Sequence, residues 1–163
     1  MTANKADITI VKTFDAPVQS VWKYWSDPVY FRQWWGPADA TCIACDMDFT
    51  IGGTFLNCLQ IQDADGKPMD VWATGTYKVI EPYKKLVFTD SFADKDGNIV
   101  SSSYYGMRGI DDELEVDLTF ESLGDMTKMT LRHTKLGETT QAARDAMDVS
   151  WKESLNKIMR ILE

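Results

Sequence analysis

A single histidine, His133, stands in a chain of 163 residues, beside three cysteines and five prolines. No nucleophile motif, phosphate-binding loop or metal triad can be traced through so sparse a set. Basic residues do not cluster: Lys84-Lys85 is the only adjacent pair, and the formal charge is −8. Nucleic acid and anionic membrane surfaces both call for clustered Lys and Arg, so neither is an expected partner. No stretch approaches the roughly 20 apolar residues of a membrane span. No apolar run follows Met1-Thr2-Ala3-Asn4-Lys5, so the expectation is a cytoplasmic protein without a secretory signal. Internal repeats and low-complexity tracts are missing as well. What the chain does have is 44% hydrophobic and 12% aromatic residues. That content excludes general disorder and suits one domain over residues 1–163 around one sizeable core.

The cysteines are Cys42, Cys45 and Cys58, and three cannot all pair with one another. Cys42 and Cys45 have the C-x-x-C spacing of some redox and metal sites. They fall within Ala40 to Phe49, which reads as a strand, where residues three apart point to opposite faces. With no second C-x-x-C, the expectation is buried, reduced thiols and no metal.

The strongest single element is a helix over Gln141–Leu162. Met147, Trp151, Leu155, Ile158 and Leu162 form an apolar stripe at steps of three and four. Asp148 with Lys152, and Glu153 with Lys157, place acid four residues before base on the polar side. Thr139 or Thr140 can cap its start, after Gly137. At 1.5 Å per residue it spans about 33 Å, the width of a small domain.

Before it come mostly strands. Asp7 to Phe14 holds the β-branched run Ile8, Thr9, Ile10 and Val11, and ends at Asp15-Ala16-Pro17. Val18, Val21, Trp22 and Trp25 recur at helical spacing. Ser26-Asp27-Pro28 breaks that helix and caps a second short one, Val29 to Trp35, stopped by Gly36-Pro37. Further strands are expected over Thr54 to Gln62, Val71 to Ile80 and Lys85 to Phe92, with a turn at Asp63-Ala64-Asp65-Gly66. Leu114, Val116, Leu118 and Phe120 alternate with charged and polar neighbours, the pattern of a half-buried strand. Gly124-Asp125 turns that strand into Thr127 to Lys135, where Met129, Leu131 and His133 share a face. Ala93 to Asp112 is either a long functional loop or one more strand with a wide turn. The order implies an α+β fold: a strongly curved antiparallel sheet of about six or seven strands around the last helix, with two short helices after the first strand.

At this level the chain resembles the SRPBCC (START-like, helix-grip) superfamily. The similarity rests on Phe14-Asp15-Ala16-Pro17 with Val21-Trp22, on Asp27-Pro28 and on Trp34-Trp35-Gly36-Pro37. It continues through Gly52-Gly53, the Asp65-Gly66 turn, Gly75 with Tyr77, Glu81-Pro82 before Leu86-Val87-Phe88-Thr89, Thr127 to His133, and Trp151. The branch it is most similar to is named for the C-terminal domain of the activator of heat-shock protein 90 ATPase. Ser150 departs from it, standing where many relatives carry glycine. The resemblance implies a hydrophobic cavity between helix and sheet. In relatives such a cavity binds lipids, hormones or polyketides; some relatives cyclise or aromatise polyketides, and others act as co-chaperones. Fold alone does not choose among these.

The expected function is therefore a binding domain for a small hydrophobic or aromatic molecule, without a cofactor. The alternatives are a co-chaperone-type interaction module, with a protein partner or a homodimer, and a cyclase- or hydrolase-like enzyme. His133 and Asp90 are the candidate acid–base groups, though the favoured account is a plain hydrogen bond across the sheet for His133 and a strand-end cap for Asp90. Candidate lining residues are Trp34 and Trp35 at one end of a cavity, and Phe55, Asn57 and Leu59 along one strand face. Tyr77, Phe88 and Leu118 come from neighbouring strands, and Tyr104, Tyr105 and Met107 from the long loop. His133 adds a polar group, and Met147, Trp151 and Leu155 form the ceiling, with Ser150 and Ser154 as small residues beside them.

Overall fold

Alternating apolar and polar residues make each strand half-buried, so the strands need a single common core face. In the computed structural model, which describes residues 7–162, that face is the inside of one curved sheet. Residues Met1 to Lys5, on which the expected lack of a signal segment rests, lie outside the described part. The strands are Ile8–Phe14 (β1), Thr41–Met47 (β2), Thr54–Gln62 (β3), Pro68–Glu81 (β4), Lys85–Ala93 (β5), Leu114–Ser122 (β6) and Thr127–Thr134 (β7). They pair antiparallel in the order β1-β7-β6-β5-β4-β3-β2. Register shifts between Cys42 and Ala44 in β2, and between Tyr77 and Val79 in β4, add local twist and help the sheet curl.

Between β1 and β2 lie a helix over Val18–Ser26 (α1) and a short one over Pro28–Phe31 (α2). Asp27 joins them: its backbone N–H closes α1 onto the Lys23 carbonyl, and its carboxylate accepts from the Val29 amide at 2.9 Å. α2 is shorter than the Val29 to Trp35 helix the sequence suggests. After Phe31 the chain continues as turns, with the Trp34 and Trp35 amides still bonded to the Phe31 carbonyl. The turns carry both indoles into the core. Trp34 donates from Nε1 to the Tyr24 carbonyl at 2.7 Å, and Trp35 stacks on Phe31.

The last helix, Gln141–Leu162 (α3), lies across the concave face, with Leu155 and Ile158 fully buried. Thr140 caps it, its Oγ1 accepting from the Ala143 amide at 3.2 Å. Lys12 of β1 ties one side of the helix to the sheet by donating to Asn156 at 2.9 Å. The expected Asp148–Lys152 pair forms at 2.8 Å. Glu153 and Lys157 instead reach the segment after α2: Lys157 Nζ donates to the carbonyls of Pro37 (2.8 Å) and Ala40 (3.2 Å), and Glu153 accepts from the Ala38 amide. Backbone carbonyls in a tight segment, accepting charge-assisted hydrogen bonds, hold a charged side chain better than a solvent-exposed ion pair does. Among the described residues no helix is long and apolar enough to cross a membrane.

The long connection from β5 to β6 is a loop rather than a further strand, with one isolated bridge, Ala93 to Ile99, and a 3-10 turn over Ser102–Tyr105. It is well tied down. The Tyr105 hydroxyl donates to the Ala93 carbonyl and accepts from the Trp72 amide. The Gly109 carbonyl accepts from the Thr140 amide at 2.8 Å, and the Asp111 amide donates to Thr139 Oγ1 at 3.0 Å. The loop is thereby anchored to the start of α3.

Gly75 sits where β4 passes the Phe55 ring, and a Cβ there would come within 1.8 Å of the Thr89 carbonyl oxygen and 2.5 Å of that ring. Neither the backbone oxygen nor the packed ring can yield. Gly75→Ala is expected to destabilise the protein by about 3 kcal/mol or more, read as a shift in the urea-unfolding midpoint.

Candidate functional site

The inner faces do not close completely. Between α3, the concave sheet and the long loop lies a cavity of about 430 Å³. Its floor comes from Leu59, Val71, Ala73, Asp90, Phe92, Leu114 and His133; its ceiling is Ala143, Ala146, Met147, Ser150, Trp151 and Ser154 of α3. Met107, Arg108, Ile110 and Asp111 of the loop, with Trp35, Gly36 and Pro37, complete the walls. The space exists because small residues face each other across it: Ala73 on the sheet, and Ala143, Ala146, Ser150 and Ser154 on the helix. A sheet and helix lined with Leu and Phe at those positions would pack solid.

Polar groups converge at one place. His133 is on the inner face of β7, opposite Ile8 of β1 and Val116 of β6. Its side chain is 3% exposed. Trp151 donates from Nε1 to His133 Nδ1 at 3.0 Å, so the neutral ring carries its proton on Nε2. Among the described residues that Nε2 has no hydrogen-bond partner, and it stands 3.9 Å from Asp90 Oδ2, beyond direct hydrogen-bonding range. Asp90 is walled in by protein yet keeps 19% of its side chain accessible, through the cavity. Burial pushes its carboxyl up to about 6 and pushes the imidazole down to about 4. At neutral pH the pair is therefore a carboxylate beside a neutral N–H donor. Among the described residues, Trp35 Nε1, from a buried residue of the cavity wall, also has no partner.

Of the residues proposed from sequence, Trp35, Leu59, Met107, His133, Met147 and Trp151 are brought together here, with Asp90 and the small residues Ser150 and Ser154. The others are placed elsewhere. Trp34 is fully buried behind Trp35, ring against ring at 5.6 Å. Phe55, Tyr77 and Phe88 close on one another around a void of only about 10 Å³. Leu118 and Leu155 are fully buried in the apolar core. Tyr105 spends its hydroxyl on backbone, and Tyr104 points outward, 61% exposed. Asn57 is fully enclosed with neither amide atom bonded, between Cys45 and Ala73 in the strand pairing and outside the cavity lining. The small wall residues Ala73, Ala143 and Ala146, and the loop residues Arg108, Ile110 and Asp111, escaped sequence reasoning. An inward alanine looks like filler until its facing residue is known. Ala73 was within reach, since strict alternation along β4 puts it on the same face as Val71.

The cysteines require a correction. The bulge after Cys42 shifts the register, so Cys42 opposes Leu59 and Cys45 opposes Asn57, two residues of one face. Cys42 and Cys45 thus share the inner side instead of pointing apart. Burial pushes the Cys45 thiol up to about 12 and the Cys58 thiol up to about 11, which makes them poor nucleophiles.

Two measurements follow from the pair at the floor. Trp151 packs against Trp35 at 5.4 Å and His133 at 5.9 Å but borders the cavity on one edge. Trp151→Ala is expected to cost about 3 kcal/mol, the lower end of the range for a buried tryptophan. Trp151→Phe keeps most of the ring contact but orphans His133 Nδ1, and is expected to cost about 1–2 kcal/mol. Chemical denaturation reads both. The second concerns pH. Folded His133 takes its proton near 4 instead of the ordinary 6.5, so it removes stability as pH falls between those values. Folded Asp90 takes its proton near 6 instead of 3.8, so it adds stability over nearly the same window as pH falls. The two oppose each other in the native protein. Relative to it, Asp90→Asn should lose stability as pH falls from about 6 to 4, and His133→Gln should gain it. Each slope is at most about 1.4 kcal/mol per pH unit, measurable by urea unfolding at stepped pH.

The fold recurs in solved structures. One from Arthrobacter aurescens is 28% identical, with a TM-score of 0.71, the match covering 96% of this chain and 86% of that one. One from Staphylococcus epidermidis is 24% identical with a TM-score of 0.73, covering 99% and 92%. A protein from Chromobacterium violaceum shares only 17% identity, yet its TM-score is 0.75 over 98% and 99% of the two chains. No curated protein matches the sequence. The family model described as Activator of Hsp90 ATPase homolog 1-like protein matches residues 15–163. With β1 through α3 arranged as a helix grip and that model spanning nearly all of it, the chain belongs to the Activator of Hsp90 ATPase homolog 1-like family of SRPBCC (START-like) domains.

Proposed function

We propose that this protein encloses a small apolar or aromatic molecule between its sheet and α3, holding the molecule's polar end at His133 and Asp90. The observation that carries the reading is the cavity itself: about 430 Å³, walled mainly by apolar side chains, with unpartnered polar groups on its wall. Small-molecule sites commonly enclose about 300–1,000 Å³ and use a few placed polar groups for orientation. Aromatic edges from Trp35, Phe92 and Trp151 and the flexible thioethers of Met107 and Met147 suit a flat guest. Three free thiols suit a reducing, cytoplasmic compartment.

The same pair supports a second reading, in which Asp90 moves a proton on the bound molecule. A carboxyl titrating near 6 in a site shielded from bulk water is matched to acid–base work near neutral pH. Under that reading Asp90→Asn binds the guest but no longer converts it. The chaperone-stimulating activity in the family's name would reside on an exposed surface, and the cavity does not bear on it.

Native mass spectrometry and thermal-shift screening against flat apolar compounds test the binding reading. Ala73→Phe, which puts a ring into the floor, is expected to weaken any hit at least about ten-fold while the melting temperature stays within a few degrees of the native value. Hits that survive the substitution unchanged would place the guest elsewhere.

A further inference from the structure

Resting on that reading, we infer that the guest carries a hydroxyl group, and that its oxygen sits between His133 and Asp90, accepting from Nε2–H and donating to the carboxylate. Three observations converge on one point in the cavity. His133 Nε2 is buried and without a partner, and the Trp151 hydrogen bond to Nδ1 leaves it as a donor. Asp90 Oδ2 faces it across 3.9 Å, and Asp90 lines the cavity with 19% of its side chain accessible. Two atoms at that separation can share one oxygen at an ordinary hydrogen-bond length of about 2.8 Å from each.

The choice of hydroxyl follows from what each alternative leaves unsatisfied. A carbonyl or ether oxygen accepts from Nε2–H but turns a lone pair toward the Asp90 carboxylate. A guest carboxylate places a second negative charge beside Asp90 in a poorly solvated space. An ammonium pairs with Asp90 but turns its own N–H groups against the imidazole N–H. A hydroxyl both accepts and donates at a single atom, and it adds no charge to the cavity. Protonating His133 to suit another guest would turn Nδ1–H into the Trp151 N–H. The indole thus restricts the floor to ligands that accept from Nε2. The remaining walls are mainly apolar, with Trp35, Arg108, Asp111, Ser150 and Ser154 as their polar members, so the class is a phenol or an alcohol on a flat, mainly apolar skeleton.

The test uses the whole protein and three probes of one skeleton: naphthalene, 2-methoxynaphthalene and 2-naphthol, titrated at pH 7.5 by calorimetry. 2-Naphthol is expected to bind at least about ten-fold more tightly than either of the others, because only it satisfies both groups. Equal affinity of 2-methoxynaphthalene and 2-naphthol would overturn the inference alone, since it would show that no donor is used. Failure of all three to bind would overturn the cavity reading, and the inference with it. In Asp90→Val the advantage of 2-naphthol over naphthalene should shrink to within about two-fold while naphthalene binding persists; an undiminished advantage would also overturn the inference. If that variant does not fold, nitrogen-correlated NMR of the native protein's one histidine decides. The Nε2–H proton should move downfield on addition of 2-naphthol and hold still with naphthalene, and no movement with 2-naphthol would refute the placement.

Discussion

The hydrogen bond from Trp151 to His133 joins the two halves of the molecule. One partner is on α3, the other on β7, and the bond lies inside the space where helix and sheet would otherwise touch only through apolar contact. Apolar packing is indifferent to small sliding or rotation of a helix, whereas an N–H to nitrogen bond at 3.0 Å is not. The bond fixes the turn of α3 that faces the sheet. It also commits the only imidazole to one tautomer and holds it neutral. The aromatic cluster around it, Trp25, Trp34, Trp35 and Phe31, buttresses the indole from the side of the two short helices.

The cavity depends on that anchorage. Helix and sheet are braced at both edges: by Lys12 with Asn156 on the β1 side, and by Lys157 and Glu153 with residues 37–40 on the other. Between these braces the facing residues are small, so the gap is spanned without being filled. A void in an unbraced core would collapse to recover lost contacts. Here the loop from β5 to β6, tied to the start of α3 through Gly109, Asp111, Thr139 and Thr140, walls a further side and leaves the cavity partly open. His133 Nε2, without a partner among the described residues, belongs to the lining of this cavity. That arrangement supports a binding role more directly than any residue considered singly.

The electrostatics of the floor depend on the same enclosure. Asp90 and His133 are shifted in opposite directions by one cause, removal from water. Each shift favours the neutral form, and the two groups come from β5 and β7, the strands on either side of β6. A carboxylate and a histidine at a surface would show neither effect.

Hydrophobic period with the cap residues located α3, turn residues bounded β3, and alternation located β6 and β7 closely, because a burial face imposes its spacing directly on the chain. Asp90 and His133 were legible as candidates for the same reason: each is a polar residue at an inward position. The shortened α2 was not legible, since Trp34 and Trp35 leave the helix to satisfy contacts with Tyr24 and Trp151 that lie outside its local window. The bulge that turns Cys45 inward was equally invisible, because one inserted residue changes register without changing composition. Sequence therefore determined which side chains face inward, a local consequence of strand and helix geometry. Whether those faces meet in a solid core, as at Phe55, Tyr77 and Phe88, or leave a space, as beneath Ala146 and Ser150, was decided by which residues the tertiary structure sets opposite each other. Packing is a property of facing pairs, and the pairs exist only once the helix lies on the sheet.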